Sequence, residues 1–247
     1  MSGWLVRRTA AAALLVLPVL TTSQLARANV NASSLDLDVY GFAVSATGDC
    51  ANPVVVFSND QATYLDLASS PTLGSGHLDD GTYPCVMIEV SPLVTYAPSV
   101  SEGSCTADTT YGSSMCGTGL LDEADAGISS ALDSGLSRPI QLLDGSSADC
   151  ASSAHVVLYL SQWSAGGTTT AKAYNPFEPP AQNGDGDHGI MMGGSLVVAG
   201  GSVVGTFVVE VEQSVASDGA SCSWVPPKFI FASAPADEDA SAGPAGK

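Results

Sequence analysis

Apolar residues in this chain recur at every second position, in short runs separated by Gly, Ser and Asp. In LDLDVYGFAV, residues 35–44, Leu35, Leu37 and Val39 fall on one side and Asp36, Asp38 and Tyr40 on the other. A period of two marks a strand with one buried and one wetter face. At Tyr40-Gly41-Phe42 the bulky side switches, which predicts a bulge at Gly41. Residues 54–57, VVVF, read as a short buried strand, and residues 64–67 as another. Asp79-Asp80-Gly81 is a turn signal that feeds TYPCVMIEV, residues 82–90. There Val86, Ile88 and Val90 alternate with Tyr83, Cys85 and Met87. Both rows are apolar, so this strand should be covered on both faces. Residues 154–160 and 228–231 repeat the strand pattern, and residues 195–212 read as one long hairpin around Gly200-Gly201.

A helical period shows at residues 120–133, where Leu121, Ala124, Ile128 and Leu132 share a side, so one short helix is expected there. Residues 101–119 read as loop by composition. About seven to nine short strands with Gly-rich connections predict an all-β chain, an antiparallel Greek-key β-sandwich.

One stretch carries a resemblance. Asp66-Leu67 closes a strand, a Gly/Ser connection follows, and Asp80-Gly81-Thr82-Tyr83 leads into Val86-Met87-Ile88-Glu89-Val90. Residues 64–90 thus resemble the GTY-strand pattern of uncharacterised secreted bacterial β-sandwich domains. The resemblance implies a bacterial envelope setting and an immunoglobulin- or transthyretin-like sandwich. It brings no catalytic residues.

The first 28 residues read as a secretory signal peptide. Arg7 and Arg8 precede an apolar stretch, and Ala26-Arg27-Ala28 is an A-x-A cleavage pattern. The apolar stretch, residues 10–20, is too short to span the roughly 30 Å of a bilayer core as a helix. No membrane span is expected after cleavage. A single domain at 29–231 and a disordered acidic tail at 232–247 complete the expected organisation.

Six cysteines follow the leader: Cys50, Cys85, Cys105, Cys116, Cys150 and Cys222. An even count in an exported chain reads as three disulfides, whose pairing spacing alone does not choose. Cys105–Cys116 is the first pair expected, as a stapled loop, with Cys50–Cys85 and Cys150–Cys222 completing the least crossed set. The expected location is secreted, periplasmic or on the cell surface.

Charge narrows the functions. The chain has 7 Lys+Arg against 25 Asp+Glu, a net charge of −18. Removing the leader takes away Arg7, Arg8 and Arg27 and no acid, leaving only Arg138, Lys172, Lys228 and Lys247. A surface with so few cations does not bind nucleic acid, because it cannot displace the counterions of a phosphate backbone. Asp36 and Asp38 share a strand face, as do Glu210 and Glu212. Such rows repel across neighbouring strands unless a cation meets them.

The most suggestive chemistry lies in NGDGDHGIMM, residues 183–192. Asn183, Asp185 and Asp187 alternate as the first oxygen ligands of a calcium loop do. His188 then stands where an EF-hand has Gly, so the loop is not an EF-hand. His188 with Met191 and Met192 offers imidazole and thioether, a set suited to copper. Signatures of hydrolases, G-x-S-x-G, H-E-x-x-H and S-x-x-K, are missing. Trp163 and Trp224 remain as candidate exposed contact residues. The expected function is an exported, non-enzymatic structural or interaction protein of the envelope or extracellular space, with a protein partner or self-association. A metal-binding module using residues 183–192, calcium before copper, is the alternative, and a secreted hydrolase the second.

Overall fold

The computed structural model describes residues 28–69, 77–116, 139–150, 152–165, 175–204, 206–217 and 221–232. The helix expected at 120–133 lies outside them, as do residues 1–27 of the expected leader and 233–247 of the expected tail. The described strands are β1 (Ala28–Val30), β2 (Ala32–Ser45), β3 (Val54–Asp66), β4 (Gly81–Tyr83), β5 (Cys85–Pro98), β6 (Tyr111–Ser114), β7 (Pro139–Gln141) and β8 (Ser147–Asp149). They continue as β9 (Val156–Ser161), β10 (Ile190–Gly193), β11 (Leu196–Ala199), β12 (Ser202–Val204), β13 (Thr206–Glu210), β14 (Val215–Ser217), β15 (Cys222–Trp224) and β16 (Lys228–Ala232).

The chain is all-β. An eight-stranded sheet runs β13-β16-β10-β9-β5-β2-β3, with β6 added beside β5, and it curls into a half-barrel. Three small sheets accompany it: β1-β14-β15, β12-β11-β4 and β7-β8.

β5 is the axis, and its pattern explains why. Val86, Ile88, Val90, Val94 and Tyr96 enter the main core. That core also takes Leu35, Leu37 and Val39 from β2, Leu196 and Val198 from β11, and Trp224 from β15. The small sheets therefore pack on this face. Cys85 and Met87 point the other way, into a second cluster with Ala43, Val157 and Tyr159 that Leu142 and Leu143 cover. Both apolar rows are buried, as their composition predicts. Pro84 separates β4 from β5. With no N–H, it ends one ladder, and the chain moves from the small sheet to the large one.

The Gly41 bulge is present. Register shifts between Val39 and Gly41 against both β3 and β5. The buried row accordingly passes from Leu35, Leu37 and Val39 to Phe42 and Val44. The Gly200-Gly201 turn is also present, with φ of 60° and 73° joining Ala199 to Ser202. Positive φ at both positions suits a two-residue hairpin turn.

The structure corrects several expectations. Residues 54–67 do not form two short buried strands. β3 is one long strand, at the edge of the large sheet among the described residues, with Val54 48% and Val55 49% exposed. The arm after Gly201 divides, because β12 pairs with β11 while β13 pairs with β16. Within the loop read at 101–119, β6 forms and pairs with β5. The large sheet is mixed and not purely antiparallel, since β10 is parallel to both β9 and β16. Parallel neighbours need a crossover of a dozen or more residues, and the segment from Gln162 to Gly189 supplies one between β9 and β10.

The disulfides are Cys50–Cys85, Cys105–Cys222 and Cys116–Cys150. The first is the expected pair; the other two replace Cys105–Cys116 and Cys150–Cys222. The segment carrying Cys105 docks on the β14-β15 sheet, where the Ser217 hydroxyl accepts from Ser104 N–H at 2.9 Å. Tyr96 donates to the Cys222 carbonyl at 2.8 Å. Cys105 is thereby brought against β15, while β6 carries Cys116 away to Cys150. Three disulfides belong to an oxidising, extracellular or periplasmic environment. Among the described residues, no helix is long and apolar enough to cross a membrane.

Candidate functional site

The segment from Asn175 to Gly189 forms the last part of the crossover into β10. It is tied by backbone contacts on both sides. Asn175 N–H donates to the Asp187 carbonyl at 2.7 Å, and Gly189 N–H to the Asn175 carbonyl at 3.0 Å. Gly184 N–H reaches the Trp163 carbonyl at 2.8 Å. Gly189 has φ +68°, and a Cβ there would collide with Ser164 Oγ, so only glycine fits.

Asp185 organises this loop. Its Oδ1 accepts the N–H of Asp187 at 2.9 Å, and its Oδ2 the N–H of Ala181 at 3.0 Å. His188 Nδ1 also stands 3.2 Å from Oδ2. Burial works to raise the carboxyl pKa, and these donors together outweigh it, holding Asp185 below the usual carboxylate range. The other ring nitrogen of His188 lies 3.2 Å from Glu178 Oε2. Both contacts are hydrogen bonds only when both nitrogens carry protons, that is, in the imidazolium form. Glu178 has no spacing signal in the sequence; the crossover alone brings it to His188.

Of the six residues singled out at 183–192, the structure brings Asp185 and His188 together. Asp187 contributes backbone groups beside them, and Asn183 is exposed. Met191 and Met192 leave β10 on opposite sides. Met192 is in the core, and Met191 is 54% exposed. The two thioethers and the imidazole therefore do not form one ligand set. Among the described residues, no three His, Cys, Asp or Glu side chains are grouped to hold a metal ion.

The other histidines have their own partners. His155, just before β9, lies 3.2 Å from Glu89 Oε1, and its ring stacks on Tyr40 at 3.8 Å. His77 is exposed and acts electrostatically on Asp80. Asp80 accepts the N–H of Gly201 at 2.9 Å, which fastens the turn before β4 to the hairpin beside it. This bond first, and a second from Gly200, hold its carboxyl low. His77, His155 and His188 thus each face different residues. Trp224 is buried, not exposed, and Trp163 packs on Gly48.

A second acidic arrangement sits where β2 meets β3. Asp36 is opposite Asp66, and Asp38 opposite Tyr64. The Tyr64 hydroxyl donates to Asp36. That bond first, with the charges of Asp36, Asp66 and Asp38, pushes the phenol up to about 12. Asp36 is 9% exposed, and its Oδ1 has no hydrogen-bond partner. Alternation in the sequence marks Asp36 and Asp38; Tyr64 and Asp66 join them only through the β2–β3 register.

Comparison of the chain with protein-family models, with curated proteins and with solved structures returned no match.

Proposed function

We propose that the protein is an exported, non-enzymatic β-domain that works by contact, as a structural or interaction component of the envelope or extracellular space. The observation that carries this reading is β3. Among the described residues, this strand of 13 residues lies at the edge of the large sheet with most of its side chains in solvent. An exposed edge is a template for pairing with another chain, and proteins ordinarily blunt it with Lys, Pro or short length. β3 holds no Lys and no Pro. Three disulfides keep the frame rigid around it, and the signal-like leader and cysteine usage support export.

The test is fractionation and in-cell cross-linking of the tagged full chain in its own host. An exported protein held in a defined assembly supports the reading. A protein that stays inside the cell, or is strictly monomeric with no cross-linked partner, overturns it.

A further inference from the structure

We propose that the β3 edge takes up an extended, basic segment of a different protein, adding it as a further strand and seating an Arg or Lys of that segment against Asp36, Asp38 and Asp66. This deepens the contact role above and rests on it.

Two independent features of β3 point to such an occupant. One is its backbone. Among the described residues, β3 pairs with β2 alone, and none of them pairs with its other side, the side at which a strand would add. Its first half adds the exposed side chains of Val54 and Val55, apolar surface that a covering strand removes from water. The other is the carboxylate cluster at the far half. Asp36 is more than nine-tenths buried, yet one of its oxygens is unpartnered. Asp38 is exposed beside it, and the Tyr64 ring is 65% exposed next to both. A buried carboxylate oxygen without a donor, beside the exposed Asp38 and Tyr64, suits a guanidinium, which supplies several N–H donors and stacks on rings. The raised Tyr64 phenol reports the same concentration of negative charge from the site itself.

Charge also decides against a second copy of this chain. Lys228 is the only Lys or Arg among the described residues. It lies on β16, which already has β13 and β10 on its two sides. With 25 Asp+Glu against 7 Lys+Arg in the whole sequence, a second copy would bring mostly carboxylates to carboxylates. A basic segment of another protein brings the complement, which steers encounter and fixes register.

The probe is a labelled, end-blocked peptide of alternating Arg and Val, matched in length to the 13 residues of β3 so that it reaches both Val55 and Tyr64, titrated by fluorescence anisotropy into the full oxidised chain. Binding is expected to weaken as salt rises. A version N-methylated at alternate amides keeps the charge and loses the strand bonds, so it should bind about tenfold more weakly or worse. Val55→Lys and Asp38→Asn, both at exposed positions, should each cost a similar factor, while Asp79→Asn, exposed on the turn before β4 in another sheet, costs nothing. Asp36→Asn should cost the most; if it fails to fold, Asp38→Asn carries the test. Equal binding of the N-methylated peptide, or of Asp38→Asn and wild type, overturns the proposal. So does a dimer seen by sedimentation that Val55→Lys dissolves, because the occupant is then a second copy. In-cell cross-linking separates the two levels. If Val55→Lys keeps the native cross-linked partner, the β3 site fails and the contact role stands. If wild type yields no partner, the role itself fails.

Discussion

His188 stands 3.2 Å from Asp185, and that imidazole closes a set of donors around one carboxylate. The two residues are three apart in the chain, so the contact is local and is built by the loop. Its effect is structural: Asp185 gathers Ala181, Asp187 and His188 around itself and shapes the crossover that delivers β10.

Replacing Asp185 should therefore cost stability. Asp185→Ala leaves two backbone N–H groups without their acceptor and is expected to lose about 1–3 kcal/mol. The pH dependence has a definite sign. The carboxyl is held below its ordinary value of 3.8, so the folded state favours the ionised form. Its contribution is complete above that value and is lost as pH falls through the lower, folded one. Urea unfolding at pH 7 and pH 3 should show a larger gap between wild type and Asp185→Ala at pH 7.

Calcium should leave the melting temperature unchanged. Asp185 is held by N–H groups on both oxygens, and among the described residues no three His, Cys, Asp or Glu side chains are grouped around a cation site. A ligand that binds only the native state raises the midpoint. Thermal melts with chelator and with millimolar calcium check this, and a clear rise with calcium would assign residues 183–188 a metal-binding role instead.

The two loop glycines should differ. Gly184 has φ +81° with open space around its Cβ position, so Gly184→Ala meets only backbone strain, about 1–2 kcal/mol. Gly189, with φ +68°, adds close approach to Ser164 Oγ and the Tyr159 carbonyl. Gly189→Ala should be the more damaging of the two in chemical denaturation.

Among the disulfides, Cys105–Cys222 should matter most. It closes a sequence separation of 117 residues, against 35 for Cys50–Cys85 and 34 for Cys116–Cys150. Chain entropy makes its removal costlier by about 1 kcal/mol than removal of either other bridge. Paired Cys→Ala variants, compared by urea midpoint, measure the difference, and peptide mapping without reduction checks the pairing.

Tyr64 should resist ionisation. Its phenol lies at about 12, so it is still protonated at pH 11, and Tyr64→Phe should barely change the 295 nm absorbance rise up to that pH. The raised value means that the stabilisation from its bond to Asp36 is whole below the unfolded pKa near 10. It is lost as pH rises through the folded value. Asp36→Asn removes the main cause and should bring the phenol back toward 10.

Local chemistry made much of the fold legible. The alternation over residues 35–39, the bulge at Gly41, the two apolar rows of residues 82–90 and the Gly200-Gly201 turn depend on neighbours within a few positions. A side chain's face and a glycine's φ are local properties, so sequence order carries them. The candidate site was half legible for the same reason. Asp185 and His188 are close in the chain, whereas Glu178 arrives from another part of the crossover.

Position within the sheet is not local, and only the tertiary structure decided it. Val54, Val55, Val56 and Phe57 have the composition of a buried strand, but β3 has its one described neighbour in β2, so Val54 and Val55 face water. Cys105 and Cys116 are near in sequence, yet β6 and the β14-β15 sheet carry them to different partners. The run 202–210 is uniform in pattern, yet it serves two sheets. In each case the deciding contact joins residues far apart in the chain. Strand order sets those contacts, and a period of two says which side of a strand is apolar without saying what lies beside it.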